Sequence, residues 1–178
     1  MPGALSPDAG TDRDRDRDRD EAGRARNARP RDSLGRPLDR DATGEPMVSY
    51  DEPLPPDQAL ATAQLLLDTD MPFQAHEVLE AAWKAAPLAE RDLWQGLAQL
   101  AVAITHAKRG NARGAAALLR RGAARLAGYP PLGPHGIDVA VLQARAEEIA
   151  AQVEHEGLAG IDGTSLQVRL VSERDLRG

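Results

Sequence analysis

The hydrophobic pattern from residue 52 onward is that of an all-helical protein. Alanine and leucine dominate, β-branched residues are sparse, and proline or glycine interrupts the apolar spacing at intervals. Apolar residues at helical spacing between such breakers predict α-helices. The short connections between them favour antiparallel packing of neighbours. The sequence therefore predicts an antiparallel bundle of about five helices, over residues 55–68, 72–86, 88–109, 112–127 and 139–155.

Several polar residues and glycines mark the predicted helix ends. Asp70 precedes Pro72 and is expected to cap the second helix, and Asp138 is expected to cap the fifth. Gly110 is expected to take the left-handed conformation that ends the third helix, and Asn111 to cap the fourth. Farther on, residues 165–171 alternate apolar and polar side chains, which predicts a short strand.

The composition divides the chain into three parts. Residues 1–51 contain few apolar residues, and arginine and aspartate alternate from Asp12 to Asp20, so this segment cannot bury enough surface to offset the entropy of ordering. We expect this segment to be a disordered tail, residues 52–158 to form the helical bundle, and residues 159–178 to be frayed. The alternating charges of the tail largely cancel, so it is not a polybasic arm of the kind that binds nucleic acid.

Composition also narrows the class of protein. The chain of 178 residues contains no cysteine, which excludes disulfides and thiolate metal sites and suits a reducing cytoplasm. No apolar leader follows Met1, and no stretch approaches eighteen uninterrupted apolar residues. We therefore expect a cytoplasmic protein with no membrane span.

The candidate site lies where the second and third helices carry polar side chains among the large rings. On a helical wheel His76 and Glu80 share one face, flanked by Trp83 and Phe73. The third helix carries a polar line that includes Gln99 and would need partners if buried, because an unsatisfied buried group costs about 1–3 kcal/mol. We expect the two faces to meet, so that His76, Glu80, Gln99 and His106 form one cluster with Glu77 and Gln95 at its edge.

Two interpretations of this cluster remain open. It is either a hydrogen-bond network that fixes the helix register or a metal or acid–base site, since imidazoles and carboxylates are ligands for zinc, iron or manganese. In the second case a divalent metal is the expected cofactor, and its candidate ligands are His76, Glu80 and His106. Trp83 and Trp94 are expected to serve as core or interface residues. His135, in a proline-rich loop, and His155, near the end of the fifth helix, have no companions in sequence and are expected to be solvated.

A basic stretch lies in the second half of the chain, although the formal net charge is −6. No Asp or Glu occurs between Leu93 and Ile137. This face could meet phosphates, an acidic partner, or the acidic residues of the fifth helix, and we favour a solvated or internally paired face over nucleic-acid binding. Its arginines on the fourth helix are Arg113, Arg120, Arg121 and Arg125.

The paired helix motifs resemble a known family. They are the segment from Phe73 to Trp83, the run Leu93-Trp94-Gln95-Gly96-Leu97-Ala98-Gln99-Leu100-Ala101-Val102-Ala103, and the stretch from His106 to Ala115. Over about residues 57–127 the chain resembles the domain of unknown function 309 family of small prokaryotic proteins. The resemblance implies a compact all-helical bundle and no established activity. The signature it implies comprises His76, Glu77, Glu80, Trp83, Gln95, Gly96, Gln99 and His106.

These observations lead to three functional hypotheses. We expect a non-catalytic interaction or scaffold protein with a protein partner, because no nucleophile elbow, phosphate loop or dinucleotide fingerprint is present. The first alternative is a metal-dependent, hydrolase-like enzyme that uses the His/Glu cluster. The second is binding of nucleic acid or phosphate through the basic fourth helix.

Overall fold

The computed structural model describes residues 30–39, 41–44, 52–161 and 166–171. Five α-helices follow one another and pack as an antiparallel bundle, which confirms the predicted fold class. No β-strand occurs within these ranges. The helices are α1 (Pro56–Asp68), α2 (Pro72–Ala85), α3 (Arg91–Lys108), α4 (Ala112–Leu126) and α5 (Val139–Glu156), with short 3₁₀ turns at Leu88–Glu90, Pro134–Gly136 and Leu158–Gly160.

Most of the predicted helix ends are confirmed. Gly110 takes the left-handed conformation with φ of +80°, and Asn111 Oδ1 accepts a hydrogen bond from the Gly114 N–H at 2.9 Å. Asp138 Oδ1 likewise accepts from the Val141 N–H at 3.1 Å. The predicted cap at Asp70 is wrong, because α2 begins after Met71 without a side-chain cap. Asp70 instead has a left-handed backbone and forms an ion pair with Lys108 at the far end of α3.

The helix α3 is the centre of the bundle, and it lies especially close to α4. A Cβ built on Gly96 would lie 3.3 Å from the Gly122 carbonyl oxygen, and one on Gly122 would lie 2.7 Å from Leu100 Cδ2. A side chain at either crossing position would be crowded, and its neighbours would have to shift to accommodate it. Leu93, Leu97 and Leu100 are buried around this crossing.

The chain after α5 returns to the bundle and packs on α1. Gln64, which is 5 % exposed, accepts a hydrogen bond from the Leu170 N–H at 2.8 Å and donates to the Val168 carbonyl at 3.3 Å. Val168, Leu170 and Val171 are buried in the core. For residues 166–171 the predicted frayed end is therefore corrected. The segment contains no strand within its described part, because its backbone groups pair with a side chain rather than with another strand.

Part of the segment predicted to be disordered also packs on the bundle. Residues 30–38 form a turn closed by an isolated bridge between Arg31 and Pro37, and Gly35 is buried against Phe73. The prediction of a disordered tail is corrected for residues 30–39 and 41–44. For residues 1–29, 40 and 45–51 it lies outside the described residues and stays a prediction.

No helix within the described ranges is long and apolar enough to cross a membrane.

We expect Gln64→Leu to destabilise the protein and to release the segment that contains Leu170. The change leaves a buried N–H and a buried carbonyl without their partner, and each unsatisfied group costs about 1–3 kcal/mol. Urea unfolding should show the lower free energy of unfolding, and hydrogen exchange should show faster exchange at the Leu170 amide. Gln58→Leu on the exposed side of the same helix is the matched control. Equal effects of the two changes would contradict this role of Gln64.

Candidate functional site

Three titratable side chains of α2 come together on one face of the helix. The His76 Nε2 lies 3.3 Å from Glu80 Oε2, one helical turn along, and its Nδ1 lies 3.3 Å from Glu77 Oε1. One ligand atom from each of the three lies within 4.8 Å of the others. The i, i+4 spacing of His76 and Glu80 produces this proximity, since such residues lie on the same helix face. We call His76, Glu77 and Glu80 the α2 cluster.

The charges around the α2 cluster favour the ionised form of the Glu77 carboxylate. The pKa of Glu77 is lowered, chiefly by its contact with the His76 ring and further by the positive charges of Lys84 and Arg31, while burial opposes the shift. Lys84 Nζ also lies 2.7 Å from Glu80 Oε1, so both carboxylates have basic neighbours. Although 3.3 Å from a carboxylate oxygen, His76 Nδ1 is poorly aligned with it and is buried without a hydrogen-bond partner among the described residues.

The predicted members from α3 do not join this cluster. His106 Nδ1 lies 2.8 Å from Asn111 Nδ2 at the start of α4, and its ring abuts Gly114. Burial and the charge of Arg109 lower the pKa of His106, which favours the neutral ring that accepts from Asn111. In the described part of the chain, the α2 cluster is the only group of three or more His, Asp or Glu side chains whose ligand atoms lie within 4.8 Å of one another, and His106 is not a member. The structure therefore does not bring together the four residues that were expected to converge, which are His76, Glu80, Gln99 and His106.

The two predicted glutamines also lie apart from the α2 cluster. Gln99 borders a shallow groove with Arg121 and Arg125 of α4, and its Oε1 is buried without a hydrogen-bond partner in the part of the chain that is described. Gln95 is half-buried on the same side of α3.

The predicted aromatic residues have different positions. Phe73 lies beside the α2 cluster, with its ring centroid 6.2 Å from that of His76. Trp83 is half-buried and packs against the core. Trp94 is buried, and its indole N–H donates to Glu90 Oε2 at 3.2 Å. A groove beside Trp94 has no member of the α2 cluster in its lining, so the cluster does not open into it.

The basic face of α4 is partly neutralised within the protein. The guanidinium of Arg120 lies 2.6 Å from Glu147 and 2.6 Å from Glu154, both on α5. Arg125 forms an ion pair with Asp92 at the start of α3. Arg113 and Arg121 are exposed. Two of the four predicted basic residues therefore have carboxylate partners.

The turn of residues 30–38 lies at the Phe73 end of the α2 cluster. The Arg31 guanidinium lies over the Phe73 ring, 5.9 Å from its centroid, and Arg109 donates a hydrogen bond to the Leu34 carbonyl. A Cβ on Gly35 would overlap the Phe73 ring. Composition alone did not indicate this contact, because it depends on backbone groups, one arginine and one glycine rather than on apolar side chains.

His135 is not the solvated residue that the sequence suggested. Its Nε2 lies 2.8 Å from Glu90 Oε2, and its ring centroid lies 5.7 Å from that of Trp94. The backbone of His135 is left-handed, with φ of +59°. The pKa of Glu90 is lowered, first by its hydrogen bond with His135 and then by that with Trp94. Only the Trp94–Glu90 spacing of four residues could have indicated this site, since His135 is distant in sequence.

We expect Glu90 to stabilise the fold at neutral pH and to lose this effect in acid. Its folded pKa lies below the unfolded value, so its contribution is present above the unfolded pKa, near 4.5, and is lost as pH falls through the folded pKa. Urea unfolding of the native protein and Glu90→Gln at several pH values should show a stability difference that shrinks below about pH 4.5. The exposed Glu52→Gln is the control, and a difference that does not change with pH would contradict the expectation.

Comparison with known proteins addresses one region of the chain. No curated protein and no solved structure matches this chain. Residues 60–118, from α1 into α4, match the model of the family described as Domain of unknown function (DUF309). That description assigns no activity. The match lies within the predicted region of residues 57–127, and it confirms the resemblance of this chain to the domain of unknown function 309 family.

Proposed function

We propose that this protein is a non-catalytic interaction module that binds polypeptide segments on the faces of its helical bundle. The observation that carries the proposal is the Gln64 amide, which pairs with both the Leu170 N–H and the Val168 carbonyl of the segment after α5. A side-chain amide that satisfies a donor and an acceptor of another backbone recognises main chain, as strand addition does.

A second contact of the same kind supports the proposal. On the other segment, Arg109 donates to the Leu34 carbonyl while Phe73 packs against Gly35. Both contacts include hydrogen bonds to backbone groups of the bound segment and depend little on the identity of its side chains. A helical scaffold with two such surfaces suits the binding of polypeptide more than the positioning of a small substrate.

The contacts of the α2 cluster also agree with a structural role. Glu80 lies between His76 and Lys84, and each of these pairs has the i, i+4 spacing that stabilises a helix. The absence of cysteine suits a reducing compartment, and it supports a cytoplasmic location as part of the proposal.

We expect Arg109→Gln to weaken the capture of protein partners by the full chain, because it removes the donor to a bound carbonyl. Cross-linking of tagged full-length protein in its own cells, followed by mass spectrometry, should show partners that are retained by Arg121→Gln and reduced by Arg109→Gln. Arg121 is an exposed arginine of α4 and is the matched control. Partner capture that is absent, together with turnover of an ester, phosphoester or peptide substrate that is lost on His76→Ala, would contradict the proposal.

A metal-dependent, hydrolase-like enzyme is the second candidate, and the α2 cluster favours it. An imidazole and two carboxylates with ligand atoms within 4.8 Å of one another suit zinc, manganese or iron. The His76 Nδ1, which has no hydrogen-bond partner within the described ranges, and the lowered pKa of Glu77 add to the fit, since ligands must be deprotonated to bind. Lys84 opposes it, because a cation at Glu80 competes with a metal ion.

If the α2 cluster binds metal, the full-length protein should take up one equivalent of Zn²⁺ or Mn²⁺ and His76→Ala should not. Isothermal titration and elemental analysis measure the stoichiometry directly. His155→Ala, which changes an exposed histidine at the end of α5, is the control. Equal uptake by both variants would show that any bound metal lies elsewhere.

Binding of nucleic acid or phosphate through α4 has less support. The carboxylates paired with Arg120 and Arg125 would have to be displaced by phosphates, at a cost in both attraction and solvation. We therefore do not favour this function.

A further inference from the structure

Three of the five residues in the turn of residues 31–35 determine how it packs on the bundle. Two of them contact the bundle, and the third stabilises the turn. Arg31 lies over the Phe73 ring, where a cation is attracted to the ring face, and its charge reaches the Glu77 carboxylate. Gly35 is left-handed, with φ of +72°, and has no room for a Cβ against the same ring. Each of these two residues therefore meets a requirement of the surface.

The third residue, Asp32, shapes the turn itself. Its Oδ1 accepts hydrogen bonds from the Leu34 N–H at 3.0 Å and from the Arg36 N–H at 2.8 Å. Arg31 Nη1 also donates to the Gly35 carbonyl at 2.5 Å. An aspartate that accepts from the backbone two and four residues ahead favours this turn before it meets the bundle.

The two residues between Asp32 and Gly35 contribute mainly backbone. Arg109 donates to the Leu34 carbonyl, and the Gly35 N–H donates to the Asp32 carbonyl at 2.8 Å. The recognised unit is therefore Arg-Asp-x-x-Gly, in which x is any residue.

The same five-residue pattern recurs in this chain. The sequence contains eight Arg-Asp dipeptides, and four of them are followed by glycine at the fifth position, although glycine accounts for only 16 of the 178 residues. All four lie in the segments before α1 or after α5. They occupy residues 19–23, 31–35, 40–44 and 174–178.

We propose that Phe73 and Arg109 form a recognition surface for Arg-Asp-x-x-Gly turns, and that its ligands are the four copies in this chain. The copy at 31–35 occupies the surface, and Gly44 of the next copy packs against Pro30 and Arg31 of the bound turn. Exchange among copies joined to one bundle is favoured by their high effective concentration. This inference rests on the proposed interaction function and names the ligand of one of its two surfaces.

The test uses full-length protein in which alanine replaces the glycine of every copy, at Gly23, Gly35, Gly44 and Gly178. A labelled peptide of residues 29–39 should bind this protein saturably in fluorescence anisotropy. The same peptide with Gly35→Ala should bind about tenfold more weakly, because alanine must adopt a left-handed backbone and meets the ring. Phe73→Leu in the receptor should weaken binding of the unaltered peptide similarly.

A second measurement needs no peptide. In the full chain, Gly35→Ala should accelerate hydrogen exchange at the amides of Leu34, Gly35, Arg36 and Leu38. Arg36→Ala, which changes an exposed neighbour outside the pattern, should not. Equal binding of the two peptides, binding of neither, or unchanged exchange in Gly35→Ala would overturn the assignment. If the assignment fails while cross-linked partners remain sensitive to Arg109→Gln, the proposed interaction function stands without this ligand. If the cross-linked partners are also insensitive to Arg109→Gln, both the ligand assignment and the proposed interaction function are overturned.

Discussion

The close approach of α3 and α4 at Gly96 and Gly122 is the constraint on which the arrangement of the bundle depends. A Cβ would be crowded at both positions, at 3.3 Å from the Gly122 carbonyl oxygen for Gly96 and at 3.1 Å from the Gly96 carbonyl oxygen for Gly122, so the two backbones approach closely. The Leu100 side chain fills the space beside this crossing. A larger residue there would force its neighbours to shift within the tightly packed contact between α3 and α4.

This crossing explains why the polar residues Gln99 and His106 of α3 lie next to residues of α4. His106 meets Asn111 and Gly114 at the start of α4, and Gln99 borders a groove with Arg121. Helical periodicity places Gln95, Gln99 and His106 on one side of α3. It could not show which neighbouring helix supplies the partners, because a wheel gives the angle around one axis and says nothing about the packing of another.

The same limit separates the parts of the site that sequence could predict from those that it could not. The contact of His76 with Glu80 follows from local geometry, and so do the caps at Asn111 and Asp138. The ion pair of His135 with Glu90 joins residues 45 positions apart, and no local pattern indicates it. The five-helix fold was predictable because each helix carries its own periodicity, whereas contacts between elements depend on their packing.

The described parts of the flanking segments are held on the bundle by polar contacts that composition does not reveal. Counting apolar side chains predicted disorder and fraying, because so few of them could offset the entropy of ordering. The described parts of both segments instead form hydrogen bonds between their backbone groups and side chains of the bundle. Gln64 is the partner of one segment and Arg109 of the other. A buried amide such as Gln64 would cost stability without partners, and the segment that satisfies it is thereby fixed in register. The bundle therefore carries polar side chains whose hydrogen-bond partners are main-chain groups of the flanking segments.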